Sequence, residues 1–286
     1  MKNENWNIKP VQEAVLSVFR AFEQICTRHN LRYYAAYGTA LGAIRHHGFI
    51  PWDDDCDVLM PREDYNKFVQ LVQHELPEHL VFMRGGGHPL APIHFGRMFD
   101  NTNGIVEKLS RESNLTIAQP PFLDIFILEG CPTCVQDIRK WWFVRQLYRL
   151  CQIYRFPWST VGYSKIKLIL CRVIGFFVSL TLPRTSTNEE MMVLCDKLAM
   201  KVSYDAAFYV VEPQFFRSRV RRLIPKYIFA EARVVAFCGG TIRVPSHAEE
   251  YLMHIYGDYM KLPPKEQQIP EHSLGYRGGM PSWNPE

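Results

Sequence analysis

Residues 37–58 read YGTALGAIRHHGFIPWDDDCDV, a segment that joins a small-residue turn to an acidic cluster. Gly38 and Thr39 form the turn, and four aspartates lie within the five positions 53–57. Like charges this close repel each other, so a folded chain keeps them together only where cations or solvent compensate. Because carboxylate oxygens suit Mg²⁺ and Mn²⁺, the cluster predicts a divalent-metal site.

The acidic cluster leads into an apolar run, Val58 to Met60, that is typical of the end of a buried strand. Side chains alternate along a strand, so Asp55 and Asp57 are expected on one face and Cys56 on the other. Two carboxylates beside a small-residue turn can hold a metal-bound phosphate. The alternative is an acidic surface turn, but the interleaved apolar residues favour the active site of a phosphoryl-transfer enzyme.

A third acid, Asp124, is the single charge within the apolar run FLDIFIL of residues 122–128. A buried carboxylate is costly unless it is paired or metal-bound. If this strand lies beside the strand of Asp55 and Asp57, the three acids converge near Gly38 and Thr39. We predict all three as metal ligands and catalytic residues, with Asp124 as metal ligand, general base or both in turn.

The small-residue turn and two arginines are predicted to bind the substrate. Gly38 and Thr39 would offer backbone N–H groups and a hydroxyl to phosphate oxygens. Arg97, on a predicted strand, would reach a phosphate oxygen, and its alternative is a surface position on an edge strand. Arg45 either faces the substrate or caps the C-terminus of the helix that follows the turn. The distant segment 256–259 either closes over the site or ends a helix with a glycine cap.

Composition indicates a globular protein with one large domain or two small ones, since 47% of its 286 residues are hydrophobic and 22% are charged. The net charge of +4 does not indicate nucleic acid as a partner. The basic, aromatic segment 139–172 suits an anionic membrane or substrate.

No signal-peptide pattern begins the chain and its eight cysteines follow no framework. We therefore predict a cytoplasmic protein, peripheral at the inner face of the membrane, with zinc at Cys131 and Cys134 left open.

Hydrophobic periodicity predicts an α+β fold. Helices are predicted at 11–29, 40–45, 62–74, 136–154, 165–182, 189–202 and 248–256. Strands are predicted at 31–37, 58–60, 81–84, 94–99, 104–108 and 122–128, with a hairpin over 234–244 and an extended tail after 257. We predict a catalytic core at 1–130, a helical region facing the acceptor or a membrane at 131–225, and a segment at 226–286 that packs back on the core.

The apolar helix over residues 166–182 has three interpretations. Its 17 residues contain Arg172, whereas a membrane span needs about 20 apolar residues. A buried core helix is the preferred interpretation, followed by a helix on the membrane surface and then by a true span.

Residues 37–58 closely resemble the LicD family, as do residues 60–65, 256–260 and 262–264. The resemblance runs from about Val11 to Ser273 and is loose between 131 and 223. It implies a nucleotidyltransferase-like fold, a small mixed sheet flanked by helices, here with an additional helical C-terminal half. In that family Gly38 and Thr39 are the turn, Asp55 and Asp57 the acidic pair, and Asp124 the third acid. Cys56 replaces an aliphatic residue, and His272 lacks a neighbouring histidine.

The resemblance also implies a reaction. LicD proteins transfer phosphocholine, or a related phospho-alcohol, from a CDP-activated donor such as CDP-choline to a cell-surface glycan, with Mg²⁺ or Mn²⁺ and release of CMP. The acceptor would be a polysaccharide or a lipid-linked glycan, such as a teichoic acid or lipopolysaccharide precursor. Two alternatives stay open: nucleotidyl transfer with release of pyrophosphate, and a catalytically silent glycan-binding protein.

Overall fold

The structure is a computed structural model that describes residues 8–85, 95–102, 104–108, 116–131, 164–181, 202–212, 223–270 and 273–277, with isolated positions between 143 and 197. The chain divides into two compact units. The first comprises Met1–Phe82, Arg97–Phe126 and Tyr227–Glu286, and the second comprises Met83–Gly96 and Ile127–Lys226. The functions predicted above for three consecutive regions of the chain stay predictions.

The described helices and strands follow most of the predicted ones. The α-helices are α1 (Lys9–Arg28), α2 (Tyr37–His46), α3 (Arg62–Glu75), α4 (Lys165–Ser179) and α5 (Ala248–Tyr256). The strands are β1 (Tyr34–Ala35), β2 (Cys56–Pro61), β3 (Leu80–Met83), β4 (Gly96–Asp100), β5 (Gly104–Lys108), β6 (Thr116–Gln119), β7 (Phe122–Cys131), β8 (Tyr209–Val211), β9 (Ile224–Pro225), β10 (Ala232–Phe237), β11 (Gly240–Pro245) and β12 (Ser273–Arg277). Two 3₁₀ turns lie at Lys226–Phe229 and Lys265–Gln267.

The first unit is built around a central sheet whose strands lie in the order β1-β2-β7-β4-β3. β1 and β2 are antiparallel, and Tyr34 lies opposite Leu59. β7 therefore lies directly beside β2, which confirms the expected adjacency of the Asp124 strand and the Asp57 strand. The predicted fold class, a mixed sheet flanked by helices, is confirmed.

The helices of the first unit pack their apolar faces on this sheet. α1 contacts α3 and β2, and α2 contacts β2 and α5. The buried residues of α1 recur every three or four positions, as an amphipathic helix requires. Phe22 is fully buried, and its ring lies edge-on to those of Tyr33 and Phe68, each 5.1 Å away between centroids. These aromatic contacts join α1 to α3 and fix the helical layer behind β2.

Two smaller sheets complete the first unit. β10 and β11 form the predicted hairpin, whose turn holds Cys238 and Gly239 at positive φ. The sheet β12-β5-β6 is antiparallel, and Ser273 of β12 lies opposite Glu107 of β5. Among its described residues, the tail predicted after residue 257 contains a 3₁₀ turn and a strand that pairs with β5, neither of which was predicted.

The second unit contains the C-terminal half of β7, the strands β8 and β9, and α4. β8 pairs antiparallel with β7, so that Cys131 lies opposite Tyr209, and β9 pairs with β8. Cys131 is buried against Val211. Cys134, its partner in the possible zinc half-site, lies outside the described residues, as do most of the predicted helices 136–154 and 189–202.

The preferred interpretation of residues 166–182 as a buried core helix is wrong. Gly175 is the one buried residue within α4, and the large apolar side chains along the helix are exposed. Ile166 is 76% exposed and Phe177 is 62% exposed. Within the part of the chain that the structure describes, no helix is long and apolar enough to cross a membrane.

Candidate active site

A cleft of roughly 830 Å³ in the first unit contains most of the residues predicted to be functional. It is lined by two distant stretches of the chain, one from α2 and the acidic loop and one from the segment after α5. The lining residues are Tyr37, Gly38, Leu41, Arg45, Ile50, Trp52, Asp53, Asp55, Asp57, Tyr256, Asp258, Tyr259, Lys261, Pro263, Glu266, Gln267 and Ile269.

The N-terminus of α2 opens into this cleft. The helix begins at Tyr37, three residues earlier than predicted, so Gly38 and Thr39 belong to its first turn. Tyr37 has a φ of 42°, a left-handed conformation that costs a bulky residue about 1–3 kcal/mol. Its N–H donates to the Tyr251 hydroxyl at 3.3 Å, and its ring lies edge-on to Phe126 at 5.4 Å. These contacts hold the strained start of a helix whose first N–H groups suit an anion.

Gly38 is required by the close approach of the acidic loop. A Cβ built on Gly38 would lie 2.6 Å from Oδ2 of Asp53, well inside van der Waals contact. The glycine therefore allows a carboxylate to lie directly against the first turn of α2. The helix terminus and the acidic loop form one site because of this small residue.

Thr39 has a structural contact that the sequence did not predict. The residue is fully buried, and its Oγ1 accepts a hydrogen bond of 2.8 Å from the backbone N–H of Asp57. The backbone N–H of Ala36 donates to the Asp57 carbonyl at 2.9 Å. α2 and β2 are thus tied together at Asp57, and substrate contact by the Thr39 hydroxyl stays a prediction.

The acidic loop is held in place from α1. Nε2 of Gln12 donates to the carbonyl oxygens of Ile50 and Asp53, at 3.2 and 2.8 Å. Sequence reasoning missed Gln12, because a polar residue on an amphipathic helix carries no sign of its distant partner. Its amide fixes the loop backbone at the position where the aspartates begin.

The loop brings three carboxylates together. Oxygens of Asp53, Asp54 and Asp55 lie within 4.8 Å of one another, and of these residues Asp54 is buried. Asp53 and Asp55 line the cleft, and Asp57 joins them from β2. All the donors are carboxylate oxygens, which is the ligand set that Mg²⁺ and Mn²⁺ bind, so the residues present fit the predicted metal. Asp53 was missed as a candidate ligand.

Cys56, between the acids, is a packing residue. It is fully buried while Asp57 is half-buried, as alternation along β2 predicts. Burial raises the pKa of the Cys56 thiol well above its ordinary value. The side chain is therefore a neutral, small apolar group.

Asp124 and Arg97 bind each other. Nε of Arg97 lies 2.6 Å from Oδ1 of Asp124, and Nη2 lies 2.8 Å from Oδ2, a bidentate ion pair. The guanidinium also stacks on the ring of Phe122, 3.7 Å from its centroid. Both side chains are nearly buried, at 13% and 8% exposure. Neither residue belongs to the set that lines the cleft, so metal binding by Asp124 and phosphate binding by Arg97 stay predictions.

Arg45 lines the cleft from the last turn of α2. Its Nη1 donates to the Tyr259 carbonyl at 2.6 Å, and its Nε donates to Nε2 of His46 at 2.9 Å. Partial burial lowers the pKa of the guanidinium, which nevertheless stays charged. Arg45 thereby joins the two stretches that form the cleft and supplies it with a cation.

The second wall of the cleft was largely missed by sequence reasoning. Gly257, at a φ of 70°, ends α5, which confirms the glycine cap, and Tyr256, Asp258 and Tyr259 line the cleft, whereas closure over a substrate stays a prediction. Lys261, Glu266 and Gln267 add further polar groups. The residues of this wall follow no hydrophobic period, because prolines and polar residues interrupt it, so the sequence did not indicate their position.

The chain is similar to known proteins over most of its length. The family described as LicD/FKTN/FKRP, nucleotidyltransferase domain, matches residues 30–112. The chain is 28% identical to the lipopolysaccharide cholinephosphotransferase LicD of Haemophilus influenzae, over 93% of this chain and 96% of that protein. An uncharacterized protein of Rickettsia typhi is 36% identical over 21% of each chain. One from Rickettsia prowazekii is 46% identical over 14% of this chain and 15% of that protein.

Proposed function

We propose that this chain is a member of the LicD family and that it transfers phosphocholine or a related phospho-alcohol from a CDP-activated donor to a cell-surface glycan. The observation that carries the proposal is the shared cleft, in which the N-terminus of α2 meets Asp53, Asp55 and Asp57. The Haemophilus relative, named as a lipopolysaccharide cholinephosphotransferase, supports the carried group and a lipopolysaccharide acceptor.

A divalent cation, Mg²⁺ or Mn²⁺, would be held by Asp53, Asp55 and Asp57. When bound, it supplies positive charge that neutralises the diphosphate and aligns the attacking and leaving oxygens. Asp124 stays the proposed third acid, since β7 places it beside β2. The cation is an inference from the carboxylate set and the family.

The reaction needs little covalent work from the protein. A hydroxyl oxygen of the glycan forms a bond to the phosphorus of phosphocholine. The bond from that phosphorus to the bridging oxygen breaks, and CMP leaves with the electron pair. Asp55 and Asp57 line the cleft, and we assign to one of them the acceptance of the hydroxyl proton.

The donor's diphosphate would lie at the start of α2. The first turn of a helix has N–H groups without partners inside the helix, and these groups and the positive end of the helix dipole favour a phosphate beside Gly38. Arg45 and Lys261 are cations of the cleft lining, and either side chain would neutralise phosphate charge. These contacts would position the reacting phosphorus beside the acids, and such positioning is a main source of rate enhancement in phosphoryl transfer.

The carried alcohol would be recognised by aromatic rings of the same cleft. A quaternary ammonium binds ring faces, and Tyr37, Trp52, Tyr256 and Tyr259 contribute rings to the lining. Tyr65, by contrast, is fully buried and packs near Phe82, so it belongs to the core. Choline, rather than glycerol or ribitol, is therefore the donor group that this lining suits best.

The compartment is part of the proposal. The six described cysteines are free thiols, and Cys26 and Cys56 are fully buried. Unpaired cysteines suit a reducing compartment, so we place the reaction in the cytoplasm, at the face of the membrane where the glycan is assembled.

CMP release tests the proposed function. Purified protein with Mg²⁺ and crude lipopolysaccharide would be given CDP-choline, CDP-ethanolamine, CDP-glycerol or CDP-ribitol in separate reactions. We expect CMP from CDP-choline, loss of that CMP in the Asp57→Asn variant, and loss on removal of the cation with a chelator.

Other outcomes identify the alternatives. Pyrophosphate release from a nucleoside triphosphate, without CMP from any donor, would identify a nucleotidyltransferase. Binding of lipopolysaccharide with no product from any donor would identify a silent binding protein. Either result contradicts the proposal.

Gly38→Ala is expected to lower CMP release by about tenfold to a hundredfold. The new methyl group would displace the Asp53 carboxylate, which lies 2.6 Å away and can rotate, so the acid moves while the helix stays. Alanine favours a helix over glycine by up to about 1 kcal/mol, so the free energy of unfolding should change by about 1 kcal/mol or less.

A matched change, Gly240→Ala, is the control. Its new Cβ would meet nothing closer than the Phe237 carbonyl oxygen at 3.8 Å, and activity should stay unchanged. Steady-state kinetics and thermal unfolding of both variants measure the two effects. Full activity in Gly38→Ala would contradict the role given to this close approach.

A further inference from the structure

We propose that α4 docks this protein on an anionic lipid surface through an exposed apolar face. The docking face consists of Ile166, Ile169, Leu170, Val173, Phe177 and Leu180, which are between 52% and 76% exposed. These residues recur at intervals of three and four, so they share one side of the helix. An uninterrupted exposed apolar stripe of this kind marks an interaction surface.

The opposite side of α4 is fixed to the second unit. A Cβ built on Gly175 would lie 2.1 Å from the Leu150 carbonyl oxygen, so at this point the helix lies against backbone. The Ser164 hydroxyl caps the N-terminus by accepting from the Lys167 N–H. Anchored in this way, α4 presents its apolar side as a formed surface that does not need to fold on contact.

The length and charge of α4 favour a helix in the plane of the membrane. Its 15 residues span about 22 Å at 1.5 Å each, less than the roughly 30 Å of a hydrocarbon core. Lys165 and Lys167 are exposed at its N-terminal end. Apolar residues flanked by cations are the composition of helices that lie at the headgroup boundary.

Charge identifies the partner. Residues 138–188 contain nine lysines and arginines and no aspartate or glutamate. A second copy of this chain would bring its own Lys165 and Lys167 to the interface and be repelled, whereas anionic headgroups attract these cations. A nucleic acid would match the charge, but its phosphates would leave the apolar face uncovered. An anionic bilayer satisfies both the cations and the exposed side chains.

The docking face and the cleft are separate features. No residue of the docking face belongs to the set that lines the cleft. The proposal therefore does not depend on the proposed chemistry. It adds a lipid surface on which a lipid-linked acceptor would be met.

Vesicle co-sedimentation of the full chain tests this proposal. Vesicles of phosphatidylcholine, with and without an equal share of phosphatidylglycerol, would be mixed with the protein at low salt and at 0.5 M NaCl, where the Debye length falls to about 4 Å and exposed charges are screened. We expect binding to the anionic vesicles, weak binding to the neutral ones, and weakening by salt. Binding to neither vesicle, or equally to both, would overturn the proposal.

Two pairs of variants separate the apolar and the charge contributions. Ile169→Ser with Phe177→Ser should lower the partition coefficient about tenfold or more. Lys165→Glu with Lys167→Glu should lower the partition coefficient about fivefold or more for each positive charge removed. All four positions are exposed, so circular dichroism should show an unchanged fold.

Matched controls lie in the first unit. Val234→Ser with Met253→Ser removes two apolar side chains that are 60% and 57% exposed, and Lys67→Glu reverses one exposed charge. These variants should bind vesicles as the wild type does. Equal loss in the controls would overturn the assignment to α4. If sedimentation equilibrium shows a dimer that Phe177→Ser dissociates, the docking face is an interface with a second copy of the chain, and the proposal is overturned.

Discussion

Asp57→Asn is expected to lower the rate of phosphocholine transfer at least about a thousandfold and to change the free energy of unfolding by about 1 kcal/mol or less. An amide has the shape of the carboxylate but lacks the charge that holds a cation or accepts a proton. β2 is tied to α2 through the backbone of Asp57, whose N–H donates to Thr39 and whose carbonyl accepts from the Ala36 N–H. The substitution changes only the side chain, so both hydrogen bonds remain. The loss should therefore be chemical.

Asp258→Asn is the matched control, since Asp258 lines the same cleft from its other wall and is exposed. We expect less than about a fivefold effect there, because the acid lies outside the aspartate cluster. Rates of CMP release and urea unfolding curves would be measured for both variants. Normal transfer by Asp57→Asn would remove the acidic cluster from the mechanism. Equal losses in both would mean that the cleft needs only net negative charge.

Arg97→Met is expected to destabilise the fold by about 3–5 kcal/mol. The change removes the bidentate partner of Asp124 and leaves that carboxylate nearly buried in the central sheet, and a buried charge that loses its partner costs about this much. The stack on Phe122, at 3.7 Å, is lost as well. Urea unfolding of the variant measures the effect.

The same substitution at an exposed pair is the control. Arg233 binds Glu249 with both side chains about half exposed, at 41% and 51%, so Arg233→Met should cost less than about 1 kcal/mol. Adding Asp124→Leu to Arg97→Met should restore much of the loss, because apolar side chains then replace both charges of the pair. A cost at Arg97 no larger than at Arg233 would contradict the assignment of a structural ion pair.

Asp124 and Arg97 show what the sequence could and could not predict about the site. Asp124 was selected because it is a charge within an apolar strand, and the cost of burying such a charge is a property of the single residue. Arg97 was selected as a cation on a predicted strand, within reach of a phosphate oxygen. Their mutual pairing depends on β4 and β7 lying side by side, which no local pattern reports. The burial cost that marked Asp124 as functional is also relieved by the ion pair, so the roles of both residues with substrate stay predictions.

The elements themselves were predictable where one face is buried. α1, α3, α5 and the β10–β11 hairpin follow the expected bounds within a few residues, because their periods of 3.6 and 2 are set by burial. β12 was missed, since its partner β5 is remote in the chain and pairing leaves no local signal. For α4 the helix was predicted correctly and its surroundings were not, because apolar periodicity is the same whether the face meets a core or a lipid.

The acidic cluster could be read directly from residues 53–57, whereas the wall opposite it could not. That wall follows α5, where prolines and polar residues break any period. Gln12 holds the acidic loop through two hydrogen bonds across the fold, and Tyr251 holds the start of α2 through one. Contacts of this kind depend on tertiary geometry, and a single sequence contains no trace of them.

The first unit is discontinuous in the chain, and this has a consequence for its synthesis on the ribosome. The acidic loop emerges about 200 residues before the segment after α5, an interval of about 10–40 s at ordinary rates of translation. Until Tyr227–Glu286 has been made, the nascent protein carries its aspartates without the wall that encloses them. A growing chain therefore exposes a cluster of carboxylates before it can enclose them, and the cleft is completed only after the segment that follows α5 has been made.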